Sequence, residues 1–152
     1  MKAISLWQPW GSLMACKAKT IETRSWSINH RGLLAIHTAK KRVIVPQPEA
    51  NIILKAIDPT ASPMFAQDYF DGLPRGKVVC VVNLYGCRRA EVLSHLYPDW
   101  ITAEKHFGDF TPGRFGWLTK DCVPLATPID CVGHQGIFEL PRGVEEQVRA
   151  QL

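Results

Sequence analysis

Leu6-Trp7-Gln8-Pro9-Trp10, followed by Lys19-Thr20-Ile21-Glu22-Thr23-Arg24-Ser25-Trp26, is the stretch on which the reading of this chain turns. In under thirty residues it gathers three tryptophans, a lysine, a glutamate and an arginine, with little other charge between them. Flat aromatic faces beside cations hold a nucleobase and its phosphate. The same tryptophans could equally fill a core, where aromatic side chains contribute most of the buried surface. Pro9 suits the first residue of a helix, and Trp10, Leu13 and Met14 recur at helical spacing, which predicts a helix over 9–18. Residues 20–26 read as a strand. With a period of two, Glu22, Arg24 and Trp26 project to one face and Ile21, Thr23 and Ser25 to the other. A face bearing both an acid and a base looks outward or into a cleft. Lys19 sits at the helix-to-strand elbow, where parity leaves its direction open.

Outward from this segment, residues 2–6 form a short strand and Asn29-His30-Arg31-Gly32 a turn. The apolar run 33–39 has the length of a buried strand. Residues 46–58 read as a helix and 58–76 as a loop with a helical turn, carrying Phe65, Tyr69 and Phe70. The run 76–85 is a strong strand, and 99–107 a short helix ended by Gly108. Strands are expected at 115–121, 129–132 and 137–140, separated by Pro124, Pro128 and Gly133, and the tail 144–152 as a helix. Strands joined by tight turns with helices at the periphery predict an α+β fold, a small, mainly antiparallel β-barrel in one domain over 1–152.

The chain has 152 residues, 46% hydrophobic and 21% charged, in the range of a globular protein with a sizeable core. No apolar run approaches the roughly 20 residues that cross a bilayer, and no leader is visible, so the expected location is cytoplasmic, away from membranes. Five cysteines at irregular spacing, without C-x-x-C, argue against a disulfide framework or a structural zinc site. Cys16, Cys80 and Cys122 lie in apolar surroundings and read as small core residues. No metal or other cofactor is expected. Residues 1–42 hold eight basic side chains and one acid, a local balance of +7 against −3 for the remainder. Such an imbalance suits a polyanionic partner, although a solvated lysine-rich surface has the same composition.

Nucleotide-binding glycine motifs, the Walker loop, the G-x-S-x-G elbow and H-E-x-x-H are absent. The segment Gly108-Asp109-Phe110-Thr111-Pro112-Gly113-Arg114-Phe115-Gly116-Trp117 could shape a loop over a ligand, with Arg114 toward a phosphate, or be a plain turn. Lys19, Glu22 and Glu104 are the candidate catalytic groups. A lysine in an aromatic pocket can serve as a base, and a carboxylate within reach can activate water. Glu22 and Arg24 could also be a surface ion pair of little worth. Trp7, Gln8, Trp10, Arg24, Trp26, His37 and Arg114 are the candidate ligand-binding residues, although a histidine inside an apolar strand is more often a hydrogen-bonded core residue.

Taken in order, Leu6 to Trp10, Lys19 to Trp26, Arg31-Gly32, Ile36-His37 and Phe107 to Trp117 resemble an ASCH domain, a family similar to the PUA fold, over residues 2 to about 140. The resemblance implies a PUA-like barrel with a cleft beneath the first helix, and binding of RNA or of a nucleotide or nucleoside. It also raises hydrolysis, since one branch of the family deacetylates N4-acetylcytidine and ribonuclease activity is ascribed to others. The deacetylating branch uses a lysine, a threonine three residues later and a more distant glutamate. Lys19 matches the lysine, Glu22 stands where the threonine would be, and Glu104 aligns with the later glutamate. The expected function is therefore RNA or nucleotide binding. The alternatives are a metal-independent nucleoside amidohydrolase or ribonuclease, and a protein-interaction module in transcription or translation.

Overall fold

The chain runs through a mixed α+β order in a computed structural model that describes residues 1–152. The strands are β1 (Lys2–Leu6), β2 (Ile21–Arg24), β3 (Gly32–Thr38), β4 (Lys77–Arg89), β5 (Phe115–Asp130) and β6 (Ile137–Glu139). The helices are α1 (Trp10–Ala15), α2 (Glu49–Ile57), α3 (Ala66–Asp71), α4 (Ala90–Leu96), α5 (Pro98–Glu104) and α6 (Arg142–Arg149), with a 3-10 turn at Pro63–Phe65. The strands form one six-stranded sheet in the order β2-β5-β4-β3-β1-β6, curved into a half-barrel. Only β1 and β3 run parallel, because α1 and β2 lie between them in the chain; the other pairings are antiparallel.

The curvature comes from β4 and β5. They pair along 13- and 16-residue strands whose register shifts at three places, and such bulges bend and twist a ribbon. The expected break of the last strands at Pro124 and Pro128 does not occur. Beyond Leu118 the short β2 no longer covers β5, so that stretch is paired on one side only and tolerates prolines that lack a donor. Helix α4, directly after β4, has no counterpart among the expected elements. The aromatics assigned to a surface loop separate: Phe70 is buried on α3, whereas Phe65 is exposed.

Apolar clusters cover both sides of the sheet. Ile4, Leu6, Met14, Leu34, Ile36 and Trp117 are among the buried residues of the cluster against α1. Ala3, Ala35, Val78 and Val81, of opposite parity, pack with Leu140 and Val148 near α6. Helices α2 and α3 close a third cluster around Leu13, Ile53 and Phe70. Gly11 lets α1 lie tight on β3, since a Cβ there would sit 2.4 Å from Thr38 Cγ2. Cys80 and Cys131 are buried, whereas Cys16, expected inside, is exposed. No helix is long and apolar enough to cross a membrane.

Candidate functional site

An open cleft of about 1080 Å³ lies between the start of α1, strand β2, the loop 106–114 and the loop that leads into β6. Of the candidate residues, it brings together Lys19, Glu22, Arg24, Trp7, Trp10, His37 and Arg114.

Lys19 settles the direction that parity left open. Its side chain turns inward and is nearly inaccessible, with Nζ donating to Ile21 O at 2.6 Å and Phe107 O at 2.8 Å and lying 3.3 Å from Glu22 Oε2. Two carbonyls accept hydrogen bonds from the ammonium, and the Glu22 carboxylate balances its charge. Glu22, 9% exposed, receives Arg24 Nε on its other oxygen at 2.9 Å. Arg24 then reaches across to β1, donating from Nη2 to Ser5 O at 3.0 Å. The three charges are thus one ladder, cation–carboxylate–cation, on the cleft wall. Desolvated ion pairs of this kind need every partner in place.

The loop 106–114 is stitched to β2. Asp109 N donates to Thr23 Oγ1 at 2.9 Å, and Arg114 donates to Asp109 O at 3.1 Å and Thr23 O at 3.3 Å. Hydrogen bonds from the Thr111 backbone and hydroxyl, with the Arg114 charge as a lesser cause, hold the Asp109 carboxyl below its ordinary range. Arg114 does line the cleft, but its guanidinium already serves the loop.

The tryptophans divide. Trp7, 48% exposed, stands at the rim with Lys41 Nζ 4.7 Å from its ring centroid. Trp10 lines the cleft with one part and packs into the core with the other. Trp26 lies outside the cleft wall, edge-on to the buried Trp117 with centroids 4.7 Å apart. Gln8 also lies outside the wall: it is buried, donates to Pro74 O at 2.8 Å and accepts from Ser12 N at 3.0 Å, tying down the first turn of α1. Glu104, buried on α5, is likewise away from the wall. Its carboxylate accepts from the Thr20 and Ile21 amides at 2.9 Å, from the Thr20 hydroxyl, and from Trp100 Nε1 at 3.1 Å.

The basic lobe is partly neutralised. Lys2 pairs with Glu139, Arg42 with Asp71, and Lys19 and Arg24 with Glu22. Arg42 and Gln67 together hold the Asp71 carboxyl down at about 2. Lys40 remains on the cleft and Lys41 on the Trp7 ring. Several cleft residues lay outside the sequence expectations: Ser5, His106, His134 and the Gly133-His134-Gln135-Gly136 loop. The two glycines around a histidine, between two strands, were the available signal for that loop.

A six-stranded half-barrel of α+β class, with a charged ladder and a tryptophan rim on one cleft, is the architecture of ASCH structures. The ASCH domain profile matches residues 4–118, and the chain belongs to the ASCH domain family. It is 32% identical over 152 residues to mouse (Mus musculus) activating signal cointegrator 1, a match that covers 98% of this chain and 24% of that protein. The chain thus spans about a quarter of that relative. Among solved structures, the ASCH protein of Zymomonas mobilis superposes with a TM-score of 0.57 at 13% identity, covering 98% of this chain and 93% of that one. A point variant of the same bacterial protein gives 0.55 at 14% identity over 98% and 96% of the two chains.

Proposed function

We propose that the cleft binds single-stranded RNA or a nucleotide, in keeping with a family whose members generally bind RNA. The observation that carries this reading is the Lys19–Glu22–Arg24 ladder set beneath the Trp7 and Trp10 rim of one open cleft. Trp7 and Trp10 offer faces on which a base stacks, and Lys40, Lys41 and Arg24 supply the charge that meets phosphate or sugar. Glu22 accepts hydrogen bonds from a base edge while the flanking cations hold its position. Lys19, enclosed behind Glu22, acts as its anchor. Gln8, Trp26 and Glu104 support the wall from behind.

The test is fluorescence anisotropy of an end-labelled, mixed-sequence 12-nucleotide RNA across a salt series. Saturable binding that weakens with rising salt, and about tenfold further in Arg24→Ala, supports the reading. No binding at 50 mM salt by the folded protein overturns it.

A second reading is metal-independent hydrolysis of a modified nucleoside or of RNA. It is favoured by a desolvated carboxylate between two cations in a cleft, a setting in which charged groups take part in chemistry. Glu22 would activate water and Lys19 and Arg24 would stabilise developing negative charge. Incubation with N4-acetylcytidine and short RNA in the presence of chelator, followed by mass spectrometry, decides it. Product that disappears in Glu22→Gln supports hydrolysis, and intact substrate leaves binding alone.

A further inference from the structure

Ser5 and His37 are register partners on the parallel strands β1 and β3. Ser5 Oγ lies 2.8 Å from His37 Nδ1, with the His134 carbonyl a more distant acceptor at 3.4 Å, and His37 Nε2 lies 3.0 Å from Cys131 O. A carbonyl oxygen only accepts, so Nε2 carries the ring proton, and in neutral imidazole Nδ1 accepts the Ser5 hydroxyl proton. Hydroxyl, imidazole and carbonyl therefore stand in line, each orienting the one before it. This is the relation of nucleophile, base and orienting acceptor, with a backbone oxygen where a carboxylate often stands. Burial pushes His37 below its ordinary value of 6.5, against the opposing hydrogen bond to Cys131, so the ring is a neutral base at pH 7.

The surroundings set this pair apart from a core hydrogen bond between neighbouring strands. His37 is buried, but Ser5 is partly exposed, and both line the cleft. The loop 132–136 lines the same wall, and none of its backbone N–H groups is hydrogen-bonded within the protein. Gly133 closes over the pair: a Cβ there would sit 2.4 Å from His37 Cε1 and 2.7 Å from Ser5 Oγ. Arg24, through its hydrogen bond to Ser5 O, fixes the backbone that presents the hydroxyl.

We propose that Ser5 is a nucleophile for acyl transfer from a small carboxylic ester, with His37 as its general base and the Cys131 carbonyl positioning the ring. Oγ adds to the ester carbonyl carbon while its proton passes to His37 Nδ1. The bond from carbon to the leaving oxygen breaks, and the alcohol departs with that proton. Water then adds to the acyl-serine, again giving a proton to Nδ1, and the carboxylic acid leaves as Ser5 is restored. The amides of 132–136 are the candidate donors to the oxyanion. Water is the only co-reactant, and the activity stands apart from RNA binding.

The test is reaction of the full chain with diisopropyl fluorophosphate, read by intact mass and peptide mapping. Ser5 Oγ attacks phosphorus, fluoride leaves and His37 takes the proton. A single adduct on Ser5 is expected, with a rate that rises through a midpoint below pH 6.5 and is level above it. Ser5→Ala gives no adduct, and His37→Gln reacts at least tenfold more slowly. Thermal melts show whether each variant is folded; if His37→Gln is not, the pH profile of the natural chain decides alone. No adduct on Ser5, or a rate that climbs steadily to about pH 9 like an unassisted hydroxyl, overturns the proposal. RNA anisotropy run on the natural chain keeps the two readings separate: RNA binding without a Ser5 adduct overturns only this one. Unchanged labelling in a protein that never binds RNA overturns only the other.

Discussion

Glu22 and Glu104 are both buried carboxylates that bear on β2, and their surroundings are opposite. Glu22 faces two cations, Lys19 and Arg24, on a wall open to the cleft. Glu104 faces neutral donors only, two backbone amides, a hydroxyl and an indole N–H, and is closed off on α5. The first arrangement leaves a charged group where a ligand can reach it. The second uses the carboxylate as a staple that holds the start of β2 to a helix from much later in the chain. Buried charge alone does not mark a site; the partners and the open side do.

The largest effect that tests this contrast is expected from Lys19→Met. It strands Glu22 with one cation and leaves two carbonyls without their donor, at a cost of about 3–5 kcal/mol in urea unfolding. A loss below about 1 kcal/mol would show that the ladder is not desolvated. Glu104→Gln comes next. An amide NH2 turned toward backbone donors loses at least one bond to a charged acceptor, about 2 kcal/mol, while RNA affinity of the folded protein stays level. A fall in affinity at unchanged stability would return Glu104 to the ligand site.

Arg24→Ala reverses that pattern. Its side chain is 26% exposed, so its removal costs less stability than that of Lys19, and RNA affinity drops about tenfold, about 1.4 kcal/mol, with the salt slope smaller by about one. Anisotropy titrations at four salt concentrations read both numbers. The smallest effect is a pH slope. His37 is held below its ordinary 6.5 chiefly by burial, so between its folded and unfolded values the unfolded chain binds more protons. Stability therefore falls as pH drops below 6.5, and His37→Gln, where folded, flattens that part of a stability-against-pH curve. An unchanged slope in the variant would assign the titration to another group.

The local signals served well where a single segment decides. Pro9 and the 3.6-residue spacing place α1, the apolar run 33–39 matches β3 to within one residue at each end, and the alternation at 20–26 puts Glu22 and Arg24 on one wall. They did less well where distant chain decides. Trp26 has the same parity as Arg24 but lies past the end of β2, where Trp117 captures its ring. Gln8, inside a tryptophan-rich motif, is turned away from the cleft by Pro74 O and the first turn of α1. Prolines that suggest breaks in β5 are absorbed because that part of the strand is paired on one side only.

The sequence by itself determined the α+β class, the family and the identity of the ladder, because periodicity, prolines and a dense motif are written in neighbouring residues. Only the tertiary structure decided which way Lys19 points, that Glu104 is a staple, and that Ser5 meets His37 at the cleft. Those outcomes depend on acceptors up to 94 residues away along the chain, such as Phe107 O for Lys19 and Cys131 O for His37. No local pattern specifies a hydrogen bond whose partner is brought in by the curl of the sheet.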